Sequence, residues 1–134
     1  MSFFFGAIAG QPSNLRRVND QDQADYLVGL INSARLAQTI RPFQPVGMNG
    51  PRHVHELPLA VIPTWDPTNV RHTNVVAMAR ALKAELDAAI ASSPTLQHLV
   101  ATPSNVARRR SELRSAIAEL PSYSAYEAAC SIVI

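Results

Sequence analysis

The side chains of this 134-residue chain best suited to chemistry are arginines and histidines, and they fall into three groups. Arg41, Arg52, His53 and His55 belong to a turn-rich stretch, Arg16 and Arg17 lie near the start, and Arg108, Arg109 and Arg110 run consecutively with Arg114 one turn on. A guanidinium can pair bidentately with a guanine edge, and a run of guanidinium groups neutralises phosphate. The loop group is the better candidate for reading base edges. Arg16 and Arg17 are secondary phosphate contacts. For Arg108 to Arg110 two readings stand side by side: phosphate contact, or a solvated helix face paired with Glu112 and Glu119.

Other chemistries lack their parts. His53 and His55, two apart, would share one face of a strand, and with Glu56 and His72 they suggest a sparse metal set. Zinc needs three or four convergent ligands, and Glu56 would point to the opposite face, so no metal is expected. Cys130 is the only cysteine and lies far from these histidines, and no G-x-S-x-G nucleophile elbow occurs. No nucleophile, base and orienter can be assembled, so the chain reads as no enzyme, with no catalytic residue. Phe5 to Gly10 holds two glycines without an acidic partner at dinucleotide-binding spacing, and no cofactor is expected.

Composition narrows the class. A hydrophobic fraction of 47% with 16% charged residues describes one globular domain, 1–134, rather than a disordered tail. The net charge of +2 is small, so distribution must decide whether the partner is nucleic acid. A lone cysteine permits no internal disulfide, which suits a reducing, cytoplasmic setting. No apolar run reaches the ~18–20 residues that span a bilayer, and the apolar start lacks a basic leading segment, so neither membrane nor signal peptide is expected.

The elements that must position these groups can be read from periodicity. Residues 2–9 are aromatic and β-prone, a short buried strand; stacking of Phe3 to Phe5 on bases is the alternative. Asn19-Asp20 signals a helix start, and Ala24, Leu27, Leu30, Ile31 and Ala34 predict one buried face over about 21–38. Gly29 in its middle points to a close approach of another segment. Pro42 biases Arg41 away from helix, so 39–43 reads as extended, 44–52 as a surface loop and 53–61 as a strand. Asp66 to Asn69 caps a helix over 70–92 whose Val75, Ala79, Leu82, Leu86 and Ile90 form a narrow stripe. Ser93-Pro94 starts a short helix with Leu96, Leu99 and Val100 inward. Thr102-Pro103 starts another to about 120, burying Val106, Leu113, Ile117 and Leu120. A last helix follows Pro121, with Cys130 as a small apolar packing residue. The fold class implied is α+β: a small N-terminal mixed sheet packed on a helix, then an antiparallel helical hairpin and a short C-terminal helix. Residues 1–66 form the sheet and recognition part, and 67–134 the helical part.

One ordered pattern runs through the middle: Tyr26-Leu27-Val28-Gly29-Leu30-Ile31-Asn32-Ser33, then Arg52-His53, then Ile62-Pro63-Thr64-Trp65-Asp66-Pro67-Thr68-Asn69 and His72. Over roughly residues 20–90 this resembles the C-terminal target-recognition region of adenine-specific DNA methyltransferases and fused restriction-methylation enzymes. The resemblance implies a module contacting double-stranded DNA beside a separate methyltransferase or nuclease subunit. The family's Asn/Asp-Pro-Pro-aromatic motif and Gly-rich cofactor loop do not occur here, so methyl transfer is not expected of this chain.

A second function class remains open. The stripe from Val75 to Ile90 and the apolar tail from Cys130 to Ile134 suit a non-enzymatic assembly module, including a homo-oligomer formed through the helical hairpin.

Overall fold

The structure, a computed structural model, describes residues 18–43, 46–47, 50–51 and 61–134, with 46–47 and 50–51 described as backbone only. The chain order is α1 (Gln21–Asn32), α2 (Ala34–Ile40), a 3-10 turn (Arg41–Phe43), the two-residue strands β1 (Val46–Gly47) and β2 (Gly50–Pro51), α3 (Val70–Ser92), α4 (Pro94–Ala101), α5 (Val106–Ala118) and α6 (Tyr123–Val133). β1 and β2 pair antiparallel, Val46 opposite Pro51 and Gly47 opposite Gly50. That hairpin is the only strand pairing among the described residues and forms no layer.

The α+β expectation is therefore corrected: the described residues build a helical domain in which helix packs on helix. The expected strand at 2–9 lies outside the described residues, as does most of that at 53–61. Val61, the last residue of the latter, is helical. The expected extended stretch at 39–43 is also helical. Thr39 and Ile40 belong to α2, and Arg41 keeps αR angles (φ −51°, ψ −43°) into the 3-10 turn. The preference of a pre-proline residue for extended angles is a bias only. Here it is overridden because continuing the helix buries Leu36 and Ile40.

α3 is the axis of the core, with α1 and α6 both packed on it. Val75, Val76 and Leu82 of α3 meet Tyr26, Leu27 and Leu30 of α1 and Tyr126, Ala129 and Cys130 of α6 in one buried cluster. Of the stripe predicted for 70–92, Val75, Ala79 and Leu82 reach this core, which two helices share, while Leu86 and Ile90 are half-buried outside it. Gly29 explains how close α1 and α3 come. A Cβ there would stand 3.2 Å from Ala79 Cβ and 3.3 Å from Val75 Cγ1, tighter than ordinary contact. Arg80 adds an exposed link, its guanidinium 2.6 Å from Asp22 and 2.7 Å from Asp25; such surface pairs contribute little.

α1 starts as the sequence predicts. The Asp20 carboxylate accepts the Gln23 N–H at 2.7 Å, and the Gln23 side chain accepts the Asn19 N–H at 2.9 Å. It does not run to residue 38. Ser33 (φ −71°, ψ 143°) breaks it, its hydroxyl donating to Leu30 O at 2.8 Å and accepting the Leu36 N–H at 3.1 Å. One buried side chain so caps two helices. Glu127 of α6 completes the junction by accepting the Ala34 and Arg35 N–H groups at 2.9 and 3.3 Å. The break resets the helical register. Ala34 is exposed rather than buried, and Leu36 and Ile40 take the inward positions.

Tyr126 closes the same junction. The Ser33 N–H turns to Leu30 O, leaving the Gly29 carbonyl among the orphan acceptors of a helix end, and the buried Tyr126 hydroxyl donates to it. Burial pushes the Tyr126 phenol far above its ordinary range, with Cys130 and Glu127 adding to the effect, so it remains a donor at all working pH. Tyr126→Phe is expected to cost about 1–3 kcal/mol, because a buried carbonyl is left without a partner. Urea unfolding of the two proteins checks it; equal midpoints would remove this bond from the account.

α3 starts at its expected cap, the Asn69 side chain accepting the Arg71 N–H at 3.0 Å. α4 does too, with Ser93 Oγ accepting the Leu96 N–H at 3.3 Å and Pro94 at its first position. α5 differs. Thr102 closes α4 instead, its hydroxyl donating to His98 O at 2.7 Å. The next helix begins only after Asn105, held in the left-handed region (φ 54°, ψ 46°) that asparagine tolerates. Neither α4 nor α5 holds a fully buried residue. Val106, expected inside, is 45% exposed, and Ile117 and Leu120 are half-buried against the core. Among the described residues, no helix is long and apolar enough to cross a membrane.

Candidate nucleic-acid interface

The residues that carry the ordered pattern form one docking frame. Segment 61–69 runs back over α1 and leads into α3. Ile62 is buried in the core, and the Tyr26 hydroxyl donates to the Pro63 carbonyl at 3.1 Å. Trp65 and His72 lie against the Tyr26 ring, with centroids 5.1 and 4.8 Å from it and 6.1 Å from each other. Such separations are those of stabilising aromatic pairs. The Asp66 N–H donates to His72 Nδ1 at 3.1 Å. The Asp66 carboxylate accepts from the Thr68 N–H at 2.9 Å and its hydroxyl at 2.7 Å, a local turn that leads into the Asn69 cap.

This frame brackets the basic loop group. Upstream, Leu36 and Ile40 are buried just before Arg41; downstream, Ile62 is buried just after the segment holding Arg52, His53 and His55. Both ends of that segment are anchored in the same core cluster. Arg41 is exposed in the 3-10 turn. Arg52, His53, His55, Arg16 and Arg17 lie outside the described residues. Arg52 directly follows the paired Gly50-Pro51 backbone.

The C-terminal arginines differ from one another. Arg108 Nε is 2.8 Å from Glu112 Oε1 with 80% of its side chain exposed, an exchangeable surface pair. Arg109 is committed to the fold, with Nε donating to Ser104 O at 2.6 Å and Nη1 to Leu99 O at 3.0 Å, which stitches α5 to α4. Arg110 is exposed. Arg108 and Arg109 border a shallow depression of about 210 Å³ with His98, Thr102 and Asn105. The sequence expectation treated the three arginines alike. Only the tertiary structure separates them, since the Ser104 and Leu99 carbonyls become acceptors once α4 has ended at Thr102.

His72, considered above as a metal ligand, is 6% exposed, and its Nδ1 is occupied by the Asp66 N–H. Burial lowers its pKa from the ordinary 6.5, partly offset by the Asp66 charge. His53, His55 and Glu56 lie outside the described residues. Among the described residues no three His, Cys, Asp or Glu side chains are grouped to hold a metal ion.

Cys130 is fully buried, and burial beside Glu127 pushes its thiol up to about 12, with the Tyr126 and Ser33 side chains partly opposing. A protonated, inaccessible thiol does not attack disulfide reagents. Native protein is therefore expected to resist Ellman's reagent, with complete labelling in denaturant. Labelling as fast as a free thiol under native conditions would contradict this packing.

Sequence reasoning missed Tyr26 as a core residue, because its hydroxyl made it less obvious than Leu27; its placement inside the ordered pattern was the available signal. It also missed Glu127 and the Glu85 carboxylate, which accepts the Ser122 N–H at 2.9 Å and its hydroxyl at 2.5 Å at the start of α6. Nothing local marks these long-range caps. No family model, curated protein or solved structure matches the chain.

Proposed function

We propose that this chain is a DNA-binding target-recognition module that works beside a separate methyltransferase or nuclease subunit. The observation that carries the reading is the docking frame. Residues 26–33 and 62–72, which bear the resemblance to target-recognition regions, pack on each other through Tyr26, Trp65 and His72. Ile62 anchors in the core the downstream end of the segment that holds Arg52, His53 and His55, and Ile40 of α2 anchors the upstream end. Recognition residues concentrate on loops mounted on rigid frames. Arg41 and Arg110 are exposed and available to phosphate.

Enrichment of bound duplexes from a random-sequence pool by the full-length chain tests the reading. A recurrent short sequence motif among the survivors is the expected result. Bound DNA with no sequence preference would leave only phosphate contact, and no retained DNA would exclude the proposal.

The assembly reading retains one specific support. α4 and α5 carry no fully buried residue, and Val106 and Ile132 are 45% and 58% exposed. Sedimentation of the DNA-free chain distinguishes it: a concentration-dependent oligomer without DNA affinity would favour assembly.

A further inference from the structure

Of the two histidines among the described residues, His98 is exposed and His72 is buried. His72 is also the only one of the three rings in its cluster able to change charge near neutral pH. We propose that the Tyr26–Trp65–His72 cluster is a proton-sensitive latch: neutral His72 clamps residues 61–69 onto α1, and protonation of its imidazole releases them.

The closed arrangement requires the neutral ring. The Asp66 N–H points at His72 Nδ1, so that nitrogen must present a lone pair, and the proton of the neutral ring sits on Nε2. A second proton would place two donors face to face, break the bond to Asp66 and leave a cation 6% exposed against the Tyr26 ring. The charged surroundings do not rescue it. Asp66 is the acid that faces the ring, and its attraction is outweighed by burial. On α1, Asp22 and Asp25 are bound to Arg80 of α3; Arg71, beside His72 on α3, is exposed and of the wrong sign. The Tyr26 hydroxyl is turned to Pro63 O.

The sign follows. His72 has a lower pKa in the latched state than the ordinary 6.5, so the latch is fully closed above 6.5 and opens as pH falls through the lower value. Hydrogen bonds from Thr68 hold the Asp66 carboxyl below its usual range, so Asp66 stays ionised while His72 titrates. Release would free the downstream anchor of the 43–61 segment while α1, α3 and α6 keep their shared core. The latch does not depend on what that segment binds.

Trp65 is the only tryptophan, so its fluorescence reports the latch. In the full-length chain, lowering pH from ~7.5 to ~4.5 is expected to red-shift Trp65 emission and raise its acrylamide quenching while the far-ultraviolet helical signal holds. His72→Asn keeps an acceptor near the Nδ1 position but cannot titrate, and its Trp65 signal is expected to stay flat. An unchanged wild-type signal, a change that coincides with loss of helix, or the same change in His72→Asn would each overturn the latch. Should His72→Asn not fold, the wild-type imidazole resonances decide: His72 must titrate at the Trp65 midpoint, and a mismatch rejects the proposal.

Discussion

Tyr26→Ala is expected to destabilise the chain by about 3–5 kcal/mol, the range for removing a fully buried aromatic ring. Tyr26 is 0% exposed and central to two structures at once. Its ring belongs to the α1–α3–α6 core, and its face supports Trp65 and His72. The variant should therefore lose more than packing: Trp65 should become accessible to quencher even where the helices remain. Tyr26→Phe separates the two contributions. It keeps the ring and removes the bond to Pro63 O, for which about 0.5–1.5 kcal/mol is expected. Chemical denaturation with Trp65 emission and circular dichroism as parallel probes measures both. A cost for Tyr26→Ala under 1.5 kcal/mol would mean that the ring is not at the centre of the domain.

Arg52→Ala is expected to weaken binding to the preferred DNA site by about 1–3 kcal/mol and to change binding to random DNA little. Arg52 follows Gly50-Pro51 in sequence, and the backbone of that pair is bonded to Val46-Gly47. Arg110 offers the contrast. It is exposed on α5, outside the docking frame, and Arg110→Ala should weaken all sequences alike and lower the salt slope by about one. Anisotropy titrations on an enriched site and on scrambled DNA distinguish the two patterns. Equal losses on both DNAs for Arg52→Ala would make it a phosphate contact, and no loss would favour the assembly reading.

What the sequence made legible is where local chemistry decides. Asp20, Asn69, Ser93 and Pro94 mark helix starts because their side chains or rings serve backbone groups within three residues. The Val75–Leu82 stripe marks a buried face through periodicity alone. The α+β reading rested on strands expected at 2–9 and 53–61, and on the bias that Pro42 places on Arg41; of these, Val61 and 39–43 fall among the described residues and are helical. Burial of Leu36 and Ile40 against the core, a tertiary effect, overrides that bias. The break at Ser33 has a local cause in its own two cap bonds, but the part of the junction that Glu127 supplies, 93 and 92 residues from the amides it caps, leaves no local trace. Of the candidate site, Arg109 shows the limit most plainly. Its neighbours in sequence are arginines, and only the folded α4–α5 turn reveals that its guanidinium is spent on carbonyls.

The proposed function requires that the chain bind duplex DNA through its basic residues. Fluorescence anisotropy of the full-length protein with a labelled duplex, at ~50 mM and ~200 mM salt, tests it most directly. Saturable binding at the lower salt that falls steeply at the higher is expected, as counterion release requires. Absence of binding at the lower salt, by protein whose Trp65 emission and helical signal are intact, would contradict it.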